Sequence, residues 1–323
     1  MGPQARHLDR LWWFFCYTLL SIFVIVIIFL LVSTYKGIRR RRLAADENAV
    51  EGGGVLITPD PARERSLKTA VITATALTAV MLFVYLVVSF VAGRAISSPL
   101  HGQGSNLLVI EVTGHQWWWE VRYRDDTASR MFTTANEIHI PVGQPVLLKM
   151  SSADVIHSFW VPNLMGKKDL IPGKYSTLMF QADKPGTYRG QCAEYCGLQH
   201  AHMALIVVAE APEQYYAWRE SQIRPASEPA TDSEKRGQQV FLTSPCIMCH
   251  TIRPTQAGSL IGPDLTHVGS RQTIAAGTLP NTRGHLSGWI VDSQSVKPGN
   301  KMPPNSLNPE DLQALLDYLQ SLK

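Results

Sequence analysis

Residues 191–204 read QCAEYCGLQHAHMA, with two cysteines, a glutamate, two histidines and a methionine on one short stretch. The spacing C-x3-C-x3-H-x2-M brings two thiolates, an imidazole and a thioether together at the end of an expected strand. Soft sulfur combined with imidazole suits copper or zinc. A structural zinc site would take Cys192, Cys196, His200 and one further histidine in a tetrahedron, with no use for Met203. A copper electron-transfer site uses a weak axial methionine and sets its ligand loop on a β-sandwich. In an exported domain a Cys192–Cys196 disulfide is the third reading. The spacing favours copper, with zinc and the disulfide as alternatives.

A second cluster lies nearer the carboxyl end. Residues 246–250 read CIMCH, the C-x-x-C-H pattern of haem c attachment, in which Cys246 and Cys249 form thioethers and His250 binds the iron. Two later stretches resemble c-type cytochromes. GPDLTHVGSR resembles the segment whose proline carbonyl accepts a hydrogen bond from the proximal histidine, implying a Pro263–His250 contact that fixes the imidazole. GWIVDSQSVKPGNKMP resembles the distal segment and implies Met302 as sixth ligand. His267 and His285 are rival ligands, less suited because methionine raises the potential of a low-spin carrier.

Each cluster needs a scaffold. Ahead of the first lie LLVIEVTG, WWWEVRY, EIHIPVGQPVLLKMSS, YSTLMFQAD, GTYRGQC and HMALIVVAE, alternating, β-branched and punctuated by PVGQP and DKPG. They predict a small antiparallel sandwich or barrel within residues 95–211. Periodicity stops in APEQYYAWRESQIRPASEPA, so residues 212–231 are expected to be a linker. Over 232–323 the strands give way to short helical patterns. TDSE at 231–234 can form a capping box ahead of Gly237 and Phe241. Asn308 can cap and Pro309 open a last helix whose Leu312, Leu315, Leu316 and Leu319 share one face. An all-α cytochrome c module with crossed terminal helices is expected.

The 323 residues are 45% hydrophobic, high for a soluble protein. Two uncharged runs, about 11–32 and 70–92, account for it within an amino-terminal segment 1–94. At about 1.5 Å per residue each spans a bilayer core of about 30 Å. The first is too long for a signal peptide, lacks an A-x-A-like site and is followed by Arg39, Arg40, Arg41 and Arg42, so a retained hairpin is expected. Lys36, those arginines, Arg63, Arg65 and Lys68 place the connecting loop in the cytoplasm and both chain ends outside. Residues 1–94 hold 11 Lys and Arg against 6 Asp and Glu, while 95–211 hold 9 against 10 and 212–323 hold 10 against 10. The net +4 therefore reflects membrane topology and not a nucleic-acid surface.

The pattern C-x-E-x-C-x3-H-x2-M, with DVIHSFWVP, GHQWWWE at 114–120 and LIPGKYS at 170–176, resembles the cytochrome c oxidase subunit II family over roughly residues 10–210. The resemblance implies a cupredoxin-like sandwich holding a dinuclear copper centre, CuA. Cys192 and Cys196 would bridge both coppers, His157 and Met203 would complete one metal, and His200 with the backbone carbonyl of Glu194 the other. The Glu194 side chain would face a magnesium ion shared with subunit I, and His202 would be a surface histidine. Among Trp117, Trp118 and Trp119, the first matches the exposed tryptophan at which electrons from cytochrome c arrive, the others being packing residues.

With a cytochrome c fused behind it, the chain resembles subunit II of a caa-type haem–copper oxidase. That implies electron flow from an external cytochrome c or quinol-oxidising complex to haem c, CuA and haem a of subunit I, where oxygen is reduced to water with proton translocation. Subunit III is a further expected partner, and nucleic acid is not. A two-pass protein of a bacterial inner membrane follows, with its redox domains on the periplasmic or extracellular side. One departure concerns the family's E-x-x-W setting before the second membrane helix, whose glutamate can serve proton entry: RERSLKTAVITATAL has no tryptophan, so Glu64 is a weak candidate for that role and reads better as a solvated charge near the interface. A CuA subunit of a nitric oxide reductase and a non-enzymatic membrane-anchored carrier share the same features. A nitrous oxide reductase would need a large propeller domain that this length cannot hold, and a quinol oxidase subunit lacks the copper ligands.

Overall fold

The structure, a computed structural model, describes residues 1–47, 61–97 and 107–323, which fall into two compact units. Residues 48–60, the middle of the expected cytoplasmic loop, lie outside the described residues.

One unit, beginning at Arg6, is made by two long helices, α1 (Pro3–Glu47) and α2 (Pro61–Ser97), the first few residues of α1 belonging to the other unit. Both run past the apolar stretches at 11–32 and 70–92, because the flanking Arg, Ala, Leu and Glu are strong helix formers. Pro3–Arg39 and Pro61–Ile96 are long and apolar enough to cross a membrane. Phe23, Ile25, Phe29, Leu77, Phe83 and Leu86 all lie more than half exposed, a surface that hydrocarbon would cover. Within the pair, Phe14 and Phe15 meet Tyr85 edge-on at 5.7 and 4.8 Å, a favoured aromatic geometry.

Beyond those first residues, the other unit begins with a two-sheet sandwich. Its strands are β1 (Leu108–His115), β2 (Trp118–Tyr123), β3 (Phe132–Ala135), β4 (Glu137–Pro141), β5 (Val146–Ser152), β6 (His157–Trp160), β7 (Lys168–Leu170), β8 (Ser176–Phe180), β9 (Gly186–Cys192) and β10 (Ala204–Glu210). One sheet runs β3-β2-β1-β5-β8 and the other β4-β10-β9-β6-β7. Most neighbours are antiparallel, but each sheet contains one parallel pair, β1 with β5 and β10 with β4. Alternating side chains of both sheets, among them Ile110, Val112, Val121, Leu148, Phe159, Leu205 and Val207, fill the space between them. The copper-type loop leaves the end of β9 and returns as β10, so the paired edge of these two strands holds both its ends.

The expected linker is helical in its first part. Helix α3 (Pro212–Ile223) lays Tyr215 into the sandwich core and stacks Trp218 on His139 at 4.0 Å. Aromatic residues at i and i+3 give this otherwise polar segment one face to bury. Residues 224–230 continue as irregular chain.

The remaining module comprises α4 (Asp232–Thr243), a minimal hairpin of β11 (Thr273–Ile274) and β12 (Leu279–Pro280), then α5 (Arg283–Val291), α6 (Ser293–Val296) and α7 (Pro309–Ser321). Thr231 and Glu234 form a reciprocal capping box on α4, and Asn308 caps α7 with Pro309 in its first turn. The two helices cross where α4 has Gly237: a Cβ there would lie 2.0 Å from the Ala314 carbonyl oxygen. Phe241, Ile252, Leu286, Ile290, Leu315, Leu316 and Leu319 form the core around this crossing.

Candidate metal centres

Five side chains from two segments, the start of β6 and the loop that leaves β9, converge at that loop. The sulfurs of Cys192 and Cys196 are 3.8 Å apart, and both residues are free cysteines. His157, at the start of β6, brings Nδ1 to 3.9 Å from the Cys192 sulfur. His200 places Nδ1 3.6 Å and Met203 its sulfur 3.9 Å from the Cys196 sulfur. The Glu194 carbonyl lies 3.2 Å from the Cys192 sulfur. Ligand atoms of His157, Cys192 and Cys196 lie within 4.8 Å of one another, all from buried side chains. Contact with Cys196 and His157 holds the Cys192 thiol below its usual value, and Cys192 in turn pushes Cys196 up. Two sulfurs, two imidazoles and a thioether, desolvated together, fit copper.

Residues outside the expected ligand set aim this cluster. Asp154 accepts from His157 Nε2 at 2.8 Å, turning Nδ1 toward the sulfurs. Burial works against its ionisation, but His157 and the amides of Gln116 and Val155 hold its carboxyl below the usual range. Gly114 makes room for the ring, since a Cβ there would lie 2.8 Å from His157 Cδ2. Gln116 Nε2 and Trp117 Nε1 both donate to the Cys196 carbonyl at 2.9 Å, pinning the loop from outside. Trp119 is fully buried against His157 and Phe159, while Trp118 stacks on His115 at 4.4 Å. Trp117, expected to be exposed, is partly buried and packed against the core, because its indole serves this hydrogen bond. His202 is exposed and pairs with Gln199. Glu194 reaches Lys167 at 4.0 Å.

In the helical module, His250 donates from Nδ1 to the Pro263 carbonyl at 2.8 Å, leaving Nε2 for a metal. Burial pushes the His250 imidazole below its usual value and so favours its neutral form. Gly262 allows the approach, since a Cβ there would lie 2.9 Å from His250 Cε1. Cys246 sits one turn before it and Cys249 immediately before it, and both are free cysteines. Met302 is held by its backbone: its amide donates to Asn300 Oδ1 at 2.8 Å, and its carbonyl accepts from Ser293 and Gln294. The rival histidines are engaged elsewhere, His267 with the Arg224 carbonyl and His285 with Thr282. These residues fit a covalently attached haem.

Asp154, Gly114, Gln116, Gly262 and Asn300 were not singled out from sequence. The signal for Asp154 is a carboxylate three residues before a ligand histidine in DVIH. For the glycines it is only their place inside the motifs.

A family model described as cytochrome c oxidase subunit II, periplasmic domain, matches residues 125–210, and one described as cytochrome c matches residues 234–323. Cytochrome c oxidase subunit 2 of Alkalihalophilus pseudofirmus is 36% identical over 328 residues, covering 100% of this chain and 89% of that protein. The Bacillus subtilis protein of the same name is 28% identical over 305 residues, 90% and 82% of the two chains. A solved periplasmic domain of subunit II from Bradyrhizobium japonicum, at 32% identity, covers 36% of this chain and 92% of its own with a TM-score of 0.34, too low to carry an argument about fold. With a relative 36% identical across the whole of this chain and both modules matched in order, the chain belongs to the cytochrome c oxidase subunit II family, as a member carrying a cytochrome c domain.

Proposed function

We propose that this chain is the electron-accepting subunit of a caa-type oxidase: electrons arrive at haem c, pass to CuA and leave for haem a of subunit I. Family membership makes it a subunit of a haem–copper oxidase with a membrane anchor, and implies copper and haem c. The finer route is carried by one observation, the joining of the distal methionine segment to the copper loop. Gln199 of that loop donates to the Pro298 carbonyl at 2.8 Å, and Lys301 lies 4.0 Å from Asp154, the partner of His157.

In this reading Cys192, Cys196, His157, His200, Met203 and the Glu194 carbonyl hold two coppers, and Cys246, Cys249, His250 and Met302 hold the haem. The groups so bound supply one-electron chemistry. The protein's part is to keep the ligands still and dry. Asp154, Gly114 and the two donors to the Cys196 carbonyl lock the copper loop, and Pro263 and Asn300 hold His250 and Met302 in place, so little would rearrange when charge changes. Trp117 bridges the copper loop and the cytochrome segment through its two polar ends, which suits it to relay electrons. Glu194, part-exposed beside Lys167, is the carboxylate that would face a magnesium ion at subunit I. The redox domains belong on the outer side of a bacterial inner membrane, with subunit III and an external cytochrome c or quinol-oxidising complex as further partners.

Electron paramagnetic resonance on the full chain, with copper and haem quantified, tests the reading. One unpaired electron shared over two copper nuclei beside a low-spin haem is expected. Zinc, a mononuclear copper signal or a Cys192–Cys196 disulfide would refute it.

A further inference from the structure

One buried lysine belongs to neither set of candidate ligands. Lys297 follows α6 in the segment leading to Met302 and is 3% exposed. Its ammonium donates to three main-chain carbonyls: Trp117 at 2.9 Å, His202 at 2.8 Å and Ala275 at 3.2 Å. The first belongs to the β1–β2 turn, the second to the copper loop, the third to the cytochrome module. An ammonium has three N–H donors, and each is used. Among the described residues no carboxylate forms an ion pair with it, and the three carbonyl dipoles are its hydrogen-bond partners. An isolated ammonium would not be buried at such cost without a use for its position.

The surrounding chain is shaped to meet it. Ala275 and Ala276 both adopt left-handed backbone, φ 52° and 56°, a conformation that residues other than glycine rarely take. Held this way, Ala275 turns its carbonyl to Lys297 while Ala276 accepts from the Ala204 amide at 2.9 Å, one residue beyond Met203. Gly277 follows, also left-handed, in a place where a Cβ would lie 2.9 Å from the Ala204 Cβ. Thr278 reaches the His202 carbonyl at 3.3 Å, and the Gln272 amide donates to Glu137 at 3.0 Å. Residues 272–278 therefore form a strap across the copper loop, with Lys297 as its central fastening.

We propose that Lys297 is a positioning residue that pins the cytochrome module to the copper loop through these three carbonyls and so fixes the distance over which the two centres exchange an electron. The electron-transfer half of this statement rests on the route proposed above; the pin itself rests on contacts alone. A lysine suits the task because its compact charge can address three convergent oxygens, which the planar fork of an arginine cannot.

The test uses the full chain with both centres loaded, comparing wild type with Lys297→Met. Hydrogen exchange reads the pin: the Ala204 and Gln272 amides, whose acceptors lie across the contact, should exchange about tenfold faster or more in the variant, the factor given by loss of ~1.4 kcal/mol from the closed form. Photoreduction of the haem, followed optically at both centres, should show transfer to copper slowed to a similar degree with both spectra unchanged. Unchanged exchange overturns the pin, and faster exchange with an unchanged transfer rate overturns the positioning role. If the methionine variant fails to load both centres, Lys297→Gln, neutral with two donors on a shorter stem, is read in the same way. Wild-type chain that protects Ala204 yet passes no electron from haem to copper would overturn the route and leave the pin standing.

Discussion

Replacing Asp154 by alanine asks how far copper binding depends on a residue that touches no metal. Its carboxylate, 19% exposed, accepts from His157 Nε2 at 2.8 Å, Gln116 N at 2.7 Å and Val155 N at 2.8 Å. A hydrogen bond to a charged group is worth about 1.5–3 kcal/mol. If the grip on His157 alone is lost, the ring no longer presents Nδ1 to the sulfurs at no cost, and at ~1.4 kcal/mol per decade copper affinity should fall about 10–100-fold. Asp154→Asn should fall less, because its oxygen still accepts from His157 while its amide opposes the Gln116 N–H. The assay is competition with a copper chelator on the full chain, followed by the copper spectrum, with haem c absorbance as an internal check of folding. Wild-type affinity in Asp154→Ala, with the haem intact, would refute the argument that this carboxylate orients the ligand.

Three further outcomes are expected. Transfer between haem c and copper within the chain should depend weakly on ionic strength, because the contact is made by a buried ammonium and main-chain groups between modules of nearly balanced charge; a steep salt dependence of that first-order rate would count against it. Gly237→Val should destabilise the cytochrome module by about 3 kcal/mol, the upper end for overpacking because the obstruction is the Ala314 carbonyl, and thermal melting followed at the haem reads it. His139 is the pH-sensitive group of the sandwich: burial pushes its imidazole down, but the Glu137 and Glu210 carboxylates on its two nitrogens raise it overall. A raised folded value means its contribution is complete below the ordinary histidine value near ~6.5 and fades as pH rises through the folded one. The melting-temperature gap between wild type and His139→Gln should accordingly narrow on the alkaline side, and a gap that widens there would reverse the assignment.

Much of this was legible because the chemistry is local in sequence. Cys192, Cys196, His200 and Met203 share one loop, and Cys246, Cys249 and His250 share one turn, so spacing alone groups them. The caps at Thr231 and Asn308 are local too, and the apolar runs announce the hairpin by length. The short strands β3, β6 and β7 escaped the alternation pattern because three or four residues cannot display a period. The first part of the expected linker proved helical, since what orders α3 is the sandwich face that receives Tyr215 and Trp218.

By itself, then, the sequence determined which residues group as candidate ligands of each centre, and that two long apolar helices, a sandwich and a helical module follow one another in that order. Only the tertiary structure decided what holds the ligands still. The parallel pairing of β1 with β5 brings Gly114 level with Ser152, next to the loop that carries Asp154 and His157, and strand direction has no signature in alternation. Lys297 meets Trp117 across 180 residues of chain. A buried lysine and a solvated one read alike in sequence, because burial is conferred by the surfaces that close over the side chain and not by the residue.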